Sequence, residues 1–219
     1  MNARQLAFPQ PRRDARGRED YMVTASNARA VALMDGWSSW ADARLALVGP
    51  QGSGKSHLAA IWADGAGARI LPARALRASD APDLATGPLA VEDADRGVDE
   101  TALFHLWNAM ARTGRPLLLT GRAAPADWDV ALPDLRSRLA SLTPAVIEAP
   151  DDAMLSMLLV KLFADRQVAI RPALVGWLLR RMERTHRAAI DVVARLDAAG
   201  LERGQPVNET LARDVLGDD

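Results

Sequence analysis

Four short apolar runs alternate with stretches of helical spacing between residues 20 and 150. Helices are predicted from Ala25 to Trp40 behind Ser26 as N-cap, from Lys55 to about Asp64, and from Glu100 to Thr113. The apolar runs predict strands at 45–48, 69–71, 88–91 and 117–119. Because these strands are apolar on both faces, the pattern indicates an α/β fold, with helices on both sides of a parallel sheet.

Only helical spacing remains after Pro150. A helix capped by Asp151 or Asp152 carries leucines at i, i+3, i+4 and i+7. Further helices are predicted after Pro172, from about 186 to 199, and from near Asn208. We therefore expect a polar tail at 1–19, a sheet domain at 20–149 and a small helical lid domain at 150–219.

A complete G-x-x-x-x-G-K-[ST] loop follows the first predicted strand and opens a helix. Its positions are Gly49, Pro50, Gln51, Gly52, Ser53, Gly54, Lys55 and Ser56, followed by His57. In such a P-loop, backbone N–H groups and the helix N-terminus face phosphate oxygens. Lys55 is expected to be exposed and to reach the β- and γ-phosphates, and Ser56 to hold Mg²⁺. A glycine-rich turn with an accidental lysine is the alternative, but strand, loop and helix all agree with nucleotide binding.

Polar residues follow two of the predicted strands. Glu92 and Asp93 come after the strand at 88–91, and Thr120 ends the strand at 117–119. Next to a P-loop, Glu92 could hold Mg²⁺ through water, and Asp93 could orient or deprotonate the attacking water. Thr120 could bind the γ-phosphate or that water. The alternative is a pair of solvated acids at the start of a loop.

Composition excludes several other classes of protein. The chain has 219 residues, a formal net charge of -1 and no cysteine, so neither disulfides nor thiolate metal sites can form. His57, His105 and His186 are too scattered to suggest a metal cluster. With no basic run, direct DNA binding is not expected. No signal peptide and no apolar run of membrane-spanning length occur, so we expect a cytoplasmic protein that does not contact a membrane.

The order of these features resembles that of the AAA+ ATPases, and in particular the AAA+ module of the bacterial initiator DnaA. The segment Leu135-Arg136-Ser137-Arg138-Leu139 is similar to its arginine-finger box, and Thr185-His186-Arg187 to the region of its lid arginine. The segment that holds Tyr21 and Val23 is similar to the part that lines the adenine pocket. The resemblance covers roughly residues 18 to 217. It implies that Arg138 and Arg187 stabilise phosphate charge, Arg138 across a subunit boundary and Arg187 in cis.

Within this family the chain is similar to DnaA-homologous inactivators of the Hda type. It ends where DnaA would begin its DNA-binding domain, and its N-terminus is too short for the helicase-recruiting domain. The resemblance implies binding of ADP or ATP with Mg²⁺, docking on the DNA polymerase III sliding clamp (beta subunit), and stimulation of ATP hydrolysis by DnaA. It also allows a homodimer. The alternative is an autonomous AAA+ ATPase that loads or remodels another replication protein.

The tail contains a segment that is similar to clamp-binding peptides. Gln5, Leu6, Phe8 and Pro9 form it; in such peptides a glutamine bonds at a pocket rim and two apolar side chains enter the pocket. Proline directly after Phe8 departs from the usual pattern. Glu92 departs as well, because the family usually has aspartate at the metal position, and Mg²⁺ demands near-ideal geometry. We therefore expect weak intrinsic ATPase activity.

Overall fold

A five-stranded parallel sheet forms the centre of the larger part of the protein. The computed structural model describes residues 17–18 and 21–217. The strands are β1 (Arg44–Val48), β2 (Arg69–Pro72), β3 (Leu89–Glu92), β4 (Leu117–Gly121) and β5 (Pro144–Val146), in the order β2-β3-β4-β1-β5. All four pairings are parallel. The predicted α/β fold is therefore confirmed, and β1, which carries the P-loop, lies inside the sheet beside β4.

Helices cover both faces of the sheet and make up the whole of the C-terminal part. They are α1 (Ala28–Asp35), α2 (Lys55–Ala66), α3 (Ala81–Leu84), α4 (Glu100–Thr113), α5 (Pro133–Ala140), α6 (Asp152–Ala164), α7 (Pro172–Leu179), α8 (His186–Arg203) and α9 (Glu209–Leu216). No helix in the described part of the chain is both long and apolar enough to span a bilayer.

Alternate residues of the strands enter two separate cores. Leu89 and Leu117 pack with α4 and α5 on one face of the sheet, whereas Ala90 and Leu118 pack with α1 and α2 on the other. All four side chains are fully buried. This two-sided burial explains why β3 and β4 are continuous apolar runs, since a period-2 pattern arises only when one face is solvated. The edge strand β2 is largely exposed, which its apolar run did not predict.

The first helix begins later than its sequence pattern predicts. α1 starts at Ala28, and Ser26 does not cap it. Instead Asn27 organises the preceding turn, because its side chain accepts from the Thr24 N–H at 2.9 Å and donates to the Met22 carbonyl at 2.9 Å. The Ser26 hydroxyl lies 3.5 Å from the sulfur of Met154. Ser26 thus joins the sheet-bearing part of the protein to α6 rather than starting a helix.

The helices after residue 150 pack around a core of their own. Leu155 and Leu159 of α6 are fully buried against α7 and α8. Three of these helices begin with a side-chain cap: Asp151 accepts from the Met154 N–H, Thr185 from Ala188 and Asn208 from Leu211. α8 runs to Arg203, past its predicted end at residue 199.

Candidate functional site

The P-loop connects β1 to α2 in a conformation that depends on glycine. Gly52 has φ +76° and Gly54 φ +97°, a region that side chains with a Cβ rarely adopt. The loop ends where α2 begins at Lys55, so the first N–H groups of that helix have no partner inside it. Free N–H groups at a helix N-terminus form an anion site, so this cradle fits a phosphate chain.

Lys55 is held inside the loop rather than exposed, which corrects the expectation from the sequence. Its ammonium group donates to the Gly49 carbonyl at 2.7 Å and to the Pro50 carbonyl at 2.8 Å. Only 8% of the residue is exposed. Burial lowers the pKa of this ammonium, and the nearby carboxylates of Asp93 and Asp95 act against that shift. Lys55 therefore shapes the loop as well as supplying charge to it.

Thr120 and Asp93 form the bridge between β4 and the loop after β3. The Asp93 N–H donates to Thr120 Oγ1 at 3.0 Å, and Asp93 adopts φ +56°. Its carboxylate pairs with Arg96 at 3.1 Å and borders the cavity beside the P-loop. Thr120 is 2% exposed and does not line that cavity. Its hydroxyl thus holds the Asp93 backbone in place.

The lid contacts the P-loop directly through the start of α8. The His186 N–H donates to the Gly52 carbonyl at 3.1 Å, and His186 Nδ1 lies 3.0 Å from the same oxygen. Burial lowers the pKa of the His186 imidazole, which favours the neutral ring, and the Nδ1–H tautomer is the one that fits a carbonyl acceptor. A Cβ at Gly52 would lie 2.7 Å from Thr185 Cβ. Loop and lid are therefore in close contact at this point.

A cavity of about 600 Å³ lies between the P-loop, the residues before α1, and the lid. Tyr21 forms part of its wall, with its ring edge-on to His57 at 5.2 Å between centroids, and burial raises the Tyr21 pKa to about 12. Leu158 and Ile190 line the opposite side from the lid. This combination of polar loop and apolar wall matches the two halves of a nucleotide, phosphates and base.

The structure brings together many of the residues that the sequence indicates. The candidate nucleotide-site residues that line the cavity are Tyr21, Gln51, Gly52, Gly54, Lys55, Ser56, His57, Asp93 and Arg187. Those outside its lining are Val23, Gly49, Pro50, Ser53, Glu92, Thr120 and Arg138. Arg187 is largely exposed and pairs with Asp191 at 2.8 Å, one turn along α8.

Sequence reasoning missed several residues of the cavity. Arg122 lies two residues beyond the Thr120 position, and it donates to the Gln51 side chain at 2.7 Å and through its N–H to Asp95 at 2.8 Å. Because Arg122 follows a predicted strand of the same parallel sheet as the P-loop, its position in the sequence could have indicated that it lies near the loop. Leu158 and Leu162 of α6 also line the cavity. Their helical spacing marked them only as core, because periodicity does not distinguish a core from a pocket wall.

Arg138 lies at the opposite end of the sheet from this cavity. Its guanidinium group stacks over Phe104 at 4.7 Å from the ring centroid and donates to the Asn108 side chain. The guanidinium group of Arg44 stacks in the same way on Trp107, also on α4, at 4.4 Å from the ring centroid. Arg44 begins β1, whereas the P-loop follows the end of β1. The two ends of β1, Arg44 and Val48, are four residue steps apart, or roughly 13 Å at about 3.3 Å per step.

Within residues 17–18 and 21–217, no group of three or more histidine or acidic side chains could hold a metal ion alone. Ser56 and Asp93 line the cavity, and Glu92 does not. A Mg²⁺ ion that keeps several waters and binds phosphate oxygens needs only one or two protein ligands, so the arrangement fits an ion delivered with nucleotide. Residues 5–9, the candidate clamp-binding peptide, lie outside the described part of the chain.

Solved structures of the replication initiation protein DnaA share this architecture. Domain III of the Thermotoga maritima replication initiation protein DnaA is 16% identical with a TM-score of 0.78, covering 95% of this chain and 98% of that one. AMPPCP-bound DnaA from Aquifex aeolicus is 17% identical with a TM-score of 0.69, covering 90% and 69%. The chain has the AAA+ fold.

The AAA+ fold also extends to a second kind of protein. The Thermotoga maritima RuvB Holliday junction branch migration motor is 17% identical with a TM-score of 0.73, covering 91% of this chain and 70% of that one. No model of a known protein family matches the sequence. At these identities the likeness establishes the AAA+ fold alone.

Proposed function

We propose that the cavity binds ADP or ATP together with Mg²⁺. The phosphates would lie on the P-loop N–H groups with Lys55, and Ser56 would hold the metal ion, with Asp93 reaching it through water. Tyr21 and Ile190 would enclose the base. The polar lining at Gly52 and Gly54 and the apolar lining on the lid support this assignment. The DnaA of Aquifex aeolicus binds the adenine nucleotide analogue AMPPCP with the same fold.

We further propose that the chain acts on DnaA as an Hda-type regulator. The observation that carries this proposal is the position of Arg138 at the end of the sheet opposite the P-loop. Arg138 does not border its own cavity, which supports a role at the nucleotide of a neighbouring molecule. The likeness to DnaA domain III and the motif resemblance favour DnaA as that neighbour. Stimulated hydrolysis of DnaA-bound ATP would prevent re-initiation of replication.

The surroundings of Arg138 support this role. The aromatic ring of Phe104 and the amide of Asn108 hold the guanidinium group without neutralising its charge. A positive group kept in a fixed orientation loses little conformational entropy when it meets the γ-phosphoryl group of a partner. Arg136, two residues earlier, instead binds the Val130 carbonyl at 2.8 Å and holds the loop before α5. The two arginines thus have different roles.

The second candidate function is that of an autonomous ATPase. It is favoured by Asp93 and Arg187, which both border the cavity and could act in cis. Against it stands Glu92 in place of the aspartate that the motif usually supplies. The Hda-type regulator and the autonomous ATPase differ in one measurable respect. The regulator turns over little ATP alone and strongly stimulates hydrolysis by DnaA, whereas the autonomous ATPase hydrolyses ATP without DnaA.

The test compares wild type, Arg138→Ala and Arg136→Ala in conversion of DnaA-bound ATP, with clamp loaded on DNA. Arginine fingers contribute about 10³- to 10⁵-fold in rate, so Arg138→Ala should lose nearly all stimulation while keeping nucleotide binding. Arg136→Ala should lose far less of it. Equal stimulation by Arg138→Ala and wild type would exclude the trans-acting finger, and rapid steady-state hydrolysis by the chain alone would favour the second candidate.

A further inference from the structure

A second cavity lies beside Arg138, at the start of β1. Its volume is about 210 Å³, and its polar lining comes from Ser39, Asp42, Arg44, Ser141 and Thr143. Ser141 also connects it to Arg138, since its hydroxyl donates to the Arg138 carbonyl at 2.7 Å. The cavity therefore adjoins the part of the molecule that the proposed function assigns to the contact with DnaA.

Arg44 is fixed in this cavity by its own chain. Its guanidinium group stacks on Trp107 and donates to the Trp107 carbonyl at 3.3 Å and to the Asp42 carbonyl at 3.3 Å. Its Nε is buried and has no hydrogen-bond partner in the described part of the chain. The group is thus oriented in advance, and each terminal nitrogen, which carries two hydrogens and donates once within the described residues, keeps a second N–H for an incoming acceptor.

Arg44 and Arg138 form a pair of positive charges whose hydrogen-bond acceptors are uncharged, although the Asp42 carboxylate acts on Arg44 through space. They stack on Trp107 and Phe104, which are three residues apart and therefore adjacent along α4. The hydrogen-bond acceptors of both guanidinium groups within the described residues are carbonyl or amide oxygens, which carry no charge. Burial is the main cause that lowers the pKa of Arg44; the Asp42 carboxylate acts against that shift, and repulsion from Arg138 adds to it. An incoming anion would offset both the loss of water around Arg44 and the repulsion between the two guanidinium groups.

We propose that the Arg44 cavity receives an aspartate or glutamate side chain of the DnaA molecule that Arg138 serves. This inference rests on the proposed function and adds an anchoring contact beside the finger. A carboxylate can enter a recess of this size and bind a guanidinium group in fork geometry. The hydroxyl groups of Ser141 and Thr143 would complete the shell around the carboxylate.

Asp42 lies in the lining of the same cavity and gives the proposal a test in the opposite direction. Its exposed side chain is the acidic group in the described lining, and it meets Arg44 through its carbonyl oxygen. Asp42 adopts φ +50°, a conformation that asparagine tolerates well. Asp42→Asn therefore removes a negative charge that competes with the incoming carboxylate while keeping shape and backbone.

The experiment titrates each variant against ATP-bound DnaA with clamp-loaded DNA, at low and at physiological salt. Arg44→Gln should raise the concentration for half-maximal stimulation by about tenfold, with the rate at saturation within about twofold of wild type. Asp42→Asn should lower that concentration by about threefold at low salt. Arg44→Lys keeps the charge and should lie between Arg44→Gln and wild type. Arg181→Gln is the matched control, since Arg181 stacks on Trp177 in the lid at 4.3 Å.

Three outcomes would overturn the proposal. The first is an unchanged half-maximal concentration for Arg44→Gln and Asp42→Asn. This would exclude the acidic side chain in the Arg44 cavity without affecting the proposed regulation of DnaA. The second is an equal loss for Arg44→Gln and Arg44→Lys that follows their thermal stability, since this would assign Arg44 to holding Trp107. The third is a wild-type protein that stimulates DnaA at no concentration, in which case the proposed function fails as well.

Discussion

A buried ammonium group is stable only when acceptors replace the water that it has lost. For Lys55 those acceptors are the carbonyl oxygens of Gly49 and Pro50, at 2.7 and 2.8 Å. The Lys55 ammonium group therefore has two sets of acceptors, the loop carbonyl oxygens and the phosphate oxygens of a bound nucleotide. Moving between them exchanges neutral acceptors for charged ones, which are stronger partners.

Lys55→Ala should abolish the rise in Tm that ADP causes in wild type. The variant loses the charge that binds phosphate, and its loop carbonyls lose their donor, so a lower Tm without nucleotide is expected too. Differential scanning fluorimetry with and without ADP measures both effects. Ser56→Ala is the control, because in EDTA it should keep the ADP shift. A Lys55→Ala protein with a wild-type ADP shift would exclude the P-loop as the nucleotide site.

At the scale of elements, the decisive contact joins the P-loop to the N-terminus of α8. Three contacts form there. The Gly52 carbonyl accepts from the His186 N–H, and His186 Nδ1 approaches the same oxygen. The Thr185 side chain lies so close to Gly52 that a Cβ on that glycine would be 2.7 Å from Thr185 Cβ. The lid thereby contacts the loop through its backbone.

Gly52→Ala should weaken both the fold and nucleotide binding. The added Cβ lies 2.7 Å from Thr185 Cβ, which belongs to a helix cap and cannot rotate away. Gly67→Ala is the matched control, since Gly67 also has positive φ (+63°) but open space around its Cβ. The control should lose about 1 kcal/mol from backbone strain, or about 2–4 °C in Tm. Gly52→Ala should lose more and show a smaller ADP shift; equal losses in the two variants would mean that the loop and lid contact is not important.

The sequence predicted elements best where burial dictates a period. The strands β1, β3 and β4 are paired inside the sheet and buried, and α4 has a single apolar face, so their patterns are unambiguous. The edge strand β2 is largely exposed and was marked only by its short apolar run. Strand β5 escaped prediction because it has three residues, of which only Ala145 is buried. α1 was predicted too long at both ends: Asn27, and not hydrophobic spacing, sets its start, and the helix ends at Asp35 before Gly36 rather than at Trp40.

The site was predictable to the extent that local motifs form it. The P-loop is one continuous segment, so all its residues could be named from the sequence. The contact of His186 with the P-loop depends on tertiary packing, so the sequence marked His186 only as a neighbour of the candidate lid arginine and as one of three scattered histidines. The buried position of Lys55 follows from the curl of the loop onto its own carbonyls. No residue pattern encodes that geometry.

At the scale of the whole molecule, the proposed clamp-binding tail would work independently of the nucleotide site. Gln5→Ala together with Leu6→Ala should abolish binding to the sliding clamp, because a short peptide binds through a few pocket-filling side chains. ADP affinity should stay unchanged, since the cavity is built from residues 21 to 190. A clamp pull-down alongside an ADP titration measures both. Equal recovery of the double variant and wild type on clamp beads would rule out this peptide.

The placement of Arg138 and the P-loop at opposite ends of β1 gives the molecule a polarity. A contact that joins the arginine end of one molecule to the nucleotide end of another uses two different surfaces, so it is heterologous and cannot close on two molecules by a twofold axis. Each molecule that donates its arginine end retains a free nucleotide end. Repeated contacts of this kind would grow in one direction, as a ring or an open helix.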